Sequence, residues 1–221
     1  METPRWESYP LALLLTLTGG FLETYTFFSR DGVFANAQTG NFARMALSFA
    51  EGNWGLMFRY AIPILSFILG VTLVIQVRDW LEHSPLLSWR QWLLLLEIVL
   101  LFLVSCIPAG PVSNIAANIL VSFTCAVQVE TFRKFNGNTF ASTMCTGNLR
   151  LATESLNEFF RSRNPDVQKK SAKYFFIDVT FFTGAVIGAW VTKALGILSV
   201  RVCCLTLGLA FCLLFPTKES I

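Results

Sequence analysis

Six stretches of this chain are apolar enough, over enough residues, to cross a lipid bilayer as helices, and this limits the fold more tightly than any other feature. A helix needs roughly 20 apolar residues to traverse the hydrocarbon core. Windows at about 10–28, 58–77, 91–108, 112–131, 174–194 and 198–215 meet that need. Only 14% of the 221 residues are charged, against roughly 25% in ordinary soluble domains, too few to cover a water-soluble surface. The first window lacks a strongly basic start and a small-residue cleavage site, and Glu23 interrupts it, so it is expected to stay as a span. The expected fold is an all-α integral membrane protein with six transmembrane helices.

Two shorter elements, at about 39–51 and 146–162, each open with Thr-Gly-Asn and carry charges that make them poor spans. They recur at a fixed interval. Glu23-Thr24-Tyr25 aligns with Glu130-Thr131-Phe132, Phe28 with Phe135, and Thr39-Gly40-Asn41 with Thr146-Gly147-Asn148, all 107 positions apart. A β-leaning piece precedes each tripeptide, at 33–36 and 139–142. Phe67-Ile68-Leu69-Gly70 matches Phe181-Phe182-Thr183-Gly184 after a seven-residue insertion. The chain therefore reads as two repeats, 8–108 and 112–216, within one membrane domain. Pro108-Ala109-Gly110-Pro111 turns between them, and Leu195-Gly196 turns between the last two windows.

If the Thr-Gly-Asn helices are re-entrant, each repeat crosses three times and the repeats are inverted; if they span, the repeats are parallel. Basic residues arbitrate, because cytoplasmic loops are enriched in Lys and Arg. With the N-terminus inside, the inverted arrangement leaves only Arg30, Arg44, Arg59, Lys193 and Arg201 outside, of 17 basic residues in all. The parallel arrangement nearly abolishes that bias, so the inverted one is favoured, with both termini cytoplasmic. The basic loop 161–173 anchors to anionic headgroups.

Non-helical backbone at membrane depth must be buried in protein or line a wet cavity. Inverted-repeat transporters bind substrate at the midplane on such broken helices. Thr39 and Thr146 suit N-caps, Gly40 and Gly147 suit close backbone approach, and Asn41 and Asn148 offer amide donors and acceptors. Gln38, Cys145 and Gln128 lie beside them. Except for Cys145, which only flanks it, these residues form the expected substrate-binding set, and free N–H groups at helix starts would favour an anionic group. Glu23, Glu130, Glu97 and Asp178 lie within or at the ends of spans, where carboxylates commonly mark ion or proton pathways. The other reading is plain: the tripeptides are packed turns, Glu130 is a solvated neighbour of Arg133 and Lys134, and Glu23 is a helix-end carboxylate. The six cysteines show no ligand spacing and His83 is the single histidine, so no metal, cofactor or catalytic group is expected.

The segments 23–41 and 128–151, including GVFANAQTGN and NTFASTMCTGNLR, resemble the YoaK-like family of bacterial inner-membrane proteins, and the likeness runs over nearly the whole chain. Family members commonly carry Asp where this chain has Glu23 and Asn where it has Val129. The resemblance implies a multi-pass protein of the bacterial cytoplasmic membrane and implies no activity. The functional expectation is a small secondary transporter or channel for a small, anionic solute, with no nucleic-acid partner and a homo-oligomer open. The alternative is a non-transporting membrane scaffold or sensor.

Overall fold

The computed structural model describes residues 4–215; Pro216, the last residue of the second expected repeat, lies outside them. The order is α1 (Tyr9–Ser29), α2 (Gln38–Ala50), α3 (Trp54–Glu82), α4 (Trp89–Cys106), α5 (Pro111–Thr131), a two-residue-strand hairpin of β1 (Lys134–Phe135) and β2 (Asn138–Thr139), α6 (Thr146–Ser162), α7 (Pro165–Leu195) and α8 (Arg201–Leu213). Each boundary has a local cause. Pro111 and Pro165 sit in first turns, where a missing N–H costs nothing. Ser88 and Gln91 form a capping box at α4. Gly196, at φ +57, ends α7 in a conformation that disfavours a side chain. The β-leaning stretch 33–36 is irregular backbone, because the preceding turn through Asp31 and Gly32, both at positive φ, folds it back on α1.

Five helical segments are long and apolar enough to cross a membrane: α1, α3, α4, α5, and 165–213, which joins α7 and α8 through the 3-10 turn Gly196–Val200. The chain is thus a multi-pass membrane protein by length and hydropathy. Leu65, Ile68 and Leu69 on α3, Val179 and Phe182 on α7, and Leu205 and Leu209 on α8 are all exposed. In water such faces would associate; in lipid they are solvated. α1 and α5 are central, with 61% and 56% of their apolar stretches buried, against 28% for α3.

Hydrogen bonds fix the helix directions. Asn118 donates to Arg30 O and Gln128 to Leu15 O, so α1 and α5 run antiparallel. Cys204 meets Ile98 O and Arg201 meets Ser105 Oγ, so α4 and α8 do too. Tyr9 reaches Lys173 O and Tyr25 reaches Ile197 O, which sets α7 parallel to α1. α7 packs on α1 and α6, while α3 packs on α5 and α2.

Without a hydrophobic force between helices in lipid, association depends on close packing of small residues. Here glycines provide it. A methyl group at Gly20 would strike Phe181 O, one at Gly184 would strike Leu17 O, and one at Gly70 would lie 2.8 Å from Phe123 O. By contrast, Gly208 has nothing within 4 Å of such a group. Gly184→Ala is therefore expected to cost about 1–3 kcal/mol by overpacking, and Gly208→Ala to be neutral or mildly stabilising through helix propensity. Thermal unfolding of both variants in detergent checks this; equal midpoints would remove the glycine argument.

Candidate functional site

The site is built on the middle of α1, around Gly19. After α1 ends, the chain reverses and runs back along it. Ala35 N–H reaches Thr26 Oγ1 at 3.4 Å, and Asn36 Nδ2 donates to Gly19 O at 3.1 Å. The Asn36 backbone N–H is aimed at the Glu23 carboxylate, one turn along from Gly19. α2 thus begins halfway up its neighbours: Gln38 Nε2 donates to Ser122 Oγ in mid-α5, and Ser122 donates to Pro63 O of α3.

The loop ahead of α6 reaches α1 from its other side. A methyl group at Gly19 would lie 2.5 Å from Ser142 O and 3.2 Å from Thr143 Cα, so this loop packs directly on the helix backbone. Gln128 Nε2 ties the same loop to α1, donating to Ser142 Oγ at 2.7 Å and Leu15 O at 3.2 Å. α6 then starts against mid-α7, where Asp178 faces Asn148 and Cys145. Cys145 lies beside Asp178, with Glu23 within longer electrostatic reach. Burial, with Asp178 beside it, pushes the Cys145 thiol up to about 12.

Three expectations need correction. Thr39 and Thr146 are inside their helices and cap nothing; Ala37 and Cys145 hold the N-cap positions without side-chain bonds. Gly40 and Gly147 are not close-approach points: Phe34 Cδ2, at 4.0 Å, is the nearest atom to a methyl group at Gly40, and Gly147 has none within 4 Å. Glu130 stands apart from Glu23, half-buried at the end of α5 and paired with Arg133 at 3.2 Å.

The asparagines hold their own loops, by the same device in both places. Asn41 Nδ2 donates to Phe34 O and Gln38 Oε1. Asn148 Nδ2 donates to Ala141 O and Met144 O, and its Oδ1 accepts from Ala141 N–H. In each case one bond reaches seven residues back, stapling an irregular loop that has no sheet or helix to satisfy it.

The remaining polar atoms are nearly all acceptors. Glu23 Oε2, Asn36 Oδ1, Asn41 Oδ1, Thr143 Oγ1 and both Asp178 oxygens are buried with no well-formed hydrogen bond among the described residues. Glu97, on α4, is wholly buried with both oxygens unpartnered, facing α5 near Cys125. No Lys, Arg or His is ion-paired to Glu23, Glu97 or Asp178 among the described residues. The chain's own carboxylates stand by the two helix starts, Glu23 at the approach to α2 and Asp178 at α6. Among the described residues no three metal-ligating side chains cluster.

Sequence reasoning passes over Gly19, Asn36, Ser122, Ser142 and Thr143. The available signal is Gly19-Gly20 in the middle of an apolar run, where small residues admit another backbone.

A family model now places the chain. It belongs to the family described as "protein of unknown function (DUF1275)". The match spans residues 11–213, from the first turn of α1 to the end of α8. No curated protein and no solved structure matches the chain. The family match thus covers the whole bundle, both loops and all four acids.

Asn148→Ala leaves three backbone groups of the family member's second loop unpaired, and is expected to cost about 1–3 kcal/mol. Asn41→Ala should cost less, since only its Nδ2 is used. Unfolding midpoints in detergent test the order; a silent Asn148→Ala would show the loop is held by other means.

Proposed function

We propose that this protein is a small secondary transporter of two inverted repeats, each with three crossings and one re-entrant Thr-Gly-Asn helix. The observation that carries the proposal is two cation-free carboxylates with buried, unpartnered oxygens, Glu23 and Asp178, one beside each of the two irregular loops that reach mid-α1. A carboxylate at bilayer depth costs about 2.5–3.5 kcal/mol on insertion scales, and a scaffold has no use for such a cost. A transporter does, since a proton or cation that comes and goes on these oxygens couples to movement of the loops around it.

The inverted arrangement is supported by the helix directions. α1 and α5, which correspond in the repeat, run antiparallel, as do α4 and α8. Packing also exchanges between halves: α1 with α7 answers to α5 with α3, and α2 with α3 to α6 with α7. Six crossings place both termini on one side, and the basic segment 161–173, the end of α6 and the first turns of α7, makes that side cytoplasmic in a bacterial inner membrane. The acceptor-rich lining makes the solute uncharged or cationic, with hydrogen-bond donors to offer, in place of the anion expected from the helix starts. Gln38, Asn36 and Thr143 present the polar surface it meets.

Alternating access gives the test. In a cysteine-free background, Gln38→Cys should react with a membrane-impermeant maleimide in both right-side-out and inverted vesicles. Glu23→Gln, locking the neutral state, should shift the ratio of the two rates severalfold towards one face. A cysteine sealed from both faces would favour the scaffold reading and end the transport proposal. Lys169→Cys in the same vesicles should react from the cytoplasmic side alone; reaction from outside would reject the inverted topology.

A further inference from the structure

A second feature lies at the membrane boundary, away from the acid pair. The end of α3, the start of α4, the end of α5, the 3-10 turn Arg5–Glu7 and the β1–β2 hairpin line a half-open cavity of about 340 Å3, within the range of small-molecule sites. Its lining carries Arg78, Arg90, Arg133 and Lys134 against Glu7 and Glu130. Both acids are already occupied: Glu7 accepts from Gly137 N–H at 2.9 Å, and Glu130 is paired with Arg133. Arg90 lies between two indoles, 4.6 Å from the Trp6 ring and 4.2 Å from that of Trp89. Arg90 and Lys134 form no ion pair among the described residues, and Arg78 has only its exposed neighbour Asp79. Arg78 and Arg90 are within electrostatic reach of each other, with Glu7 and the exposed Glu82 also near Arg90.

The geometry points to a bound anionic phospholipid, its phosphate held between Arg78, Arg90 and Lys134. Charge complementarity calls for an anion, because the cavity's cations outnumber its acids and two of them, Arg78 and Arg90, are within electrostatic reach of each other. The wall decides which anion. Ile75, one turn below Arg78, belongs to the cavity and is 58% exposed. It continues the face of α3 that carries the exposed Leu65, Ile68 and Leu69. A ligand that touches Arg78 and Ile75 together is polar at one end and apolar at the other. Trp6 and Trp89 belong at the same level, since indoles favour the bilayer interface. Basic pockets between spans take lipid phosphates by this chemistry.

The test uses the whole protein, purified in an uncharged detergent, with thermal midpoint and native mass spectrometry as readouts. Dihexanoylphosphatidylglycerol should raise the midpoint and remain bound in the spectrum, while dihexanoylphosphatidylcholine and glycerol 3-phosphate should do neither. Arg90→Gln should weaken phosphatidylglycerol binding about fivefold, the effect of one basic charge at a lipid surface. The more exposed pair Arg78→Gln with Lys134→Gln should weaken it about twenty-five-fold, and carries the test should Arg90→Gln fold poorly. Lys169→Gln with Lys170→Gln, outside the cavity, should leave binding unchanged. Equal binding of phosphatidylcholine would overturn the phosphate contact, and equal binding of glycerol 3-phosphate would overturn the lipid. Equal loss in the Lys169 and Lys170 pair would reduce the effect to general surface charge.

Discussion

Two adjacent glycines at the centre of α1 set the spacing on which the bundle depends. On one side Gly20 lets α7 approach until carbonyl and Cα are in contact; on the other, Gly19 admits the backbone of Ser142 and Thr143. Side chains larger than hydrogen would separate α1 from both neighbours at once. α7 would lose its seat, and with it Asp178; the second loop would lose its floor, and with it Cys145 and Asn148. Gly184 and Gly188 meet the same stretch of α1 from α7, so the approach is built from both helices. In lipid this carries more weight than in water, because apolar side chains gain nothing by leaving one hydrocarbon surface for another.

Buried charge is treated in two opposed ways. Arg30 is entirely inaccessible, yet five hydrogen bonds serve it, to Tyr25 Oη, Asn114 Oδ1 and the carbonyls of Val104, Ile107 and Pro108. Those carbonyls are the open C-terminal end of α4, where a cation is favoured, so Arg30 bolts the end of α1 to the turn between α4 and α5. The acids lack such service. Among the described residues Glu97 has two bare oxygens, and Glu23 one. Under the transport proposal, a structure that satisfies its buried cation so fully and leaves its carboxylates open separates a fixed charge from exchangeable ones.

The helices are legible in the sequence because apolar length is a coarse property, and every window falls on an observed helix. α8 is shorter than its window, and α7 begins nine residues earlier than its own, at Pro165, because the polar turn 165–173 continues as helix beyond the apolar run. The asparagines are legible as special, since the tripeptide repeats. Their role is not, because hydrogen bonds to residues seven back depend on loop shape, which periodicity does not encode. Arg30 falls outside the membrane in the count of basic residues, yet its side chain is buried. A lone arginine after an apolar run looks the same whether its side chain turns outward or inward, and only the position of the α4 end decides. Asn36, Ser142 and Thr143 lie in irregular backbone, where neither a helical nor a strand period marks a buried face.

Under the inverted-repeat proposal, what is duplicated and what is not divide along a clear line. Asn41 and Asn148 staple equivalent loops, and Gly70 and Gly184 admit equivalent neighbours, so the mechanical parts occur twice. The acids do not. Glu23 is buried against Asn36, whereas its counterpart Glu130 is ion-paired at the boundary. Asp178 corresponds, through the Gly70 and Gly184 match, to Ile64, a buried apolar residue. Gln38 corresponds to Cys145. A duplicated fold supplies two loops that meet at mid-membrane from opposite faces, and symmetry alone would make that meeting point neutral or doubly charged. Placing Glu23 beside the first loop and Asp178 beside the second gives each loop one carboxylate, held by a different helix. The loops can then respond to the same proton or cation without moving alike, which an exactly symmetric pair of sites would not allow.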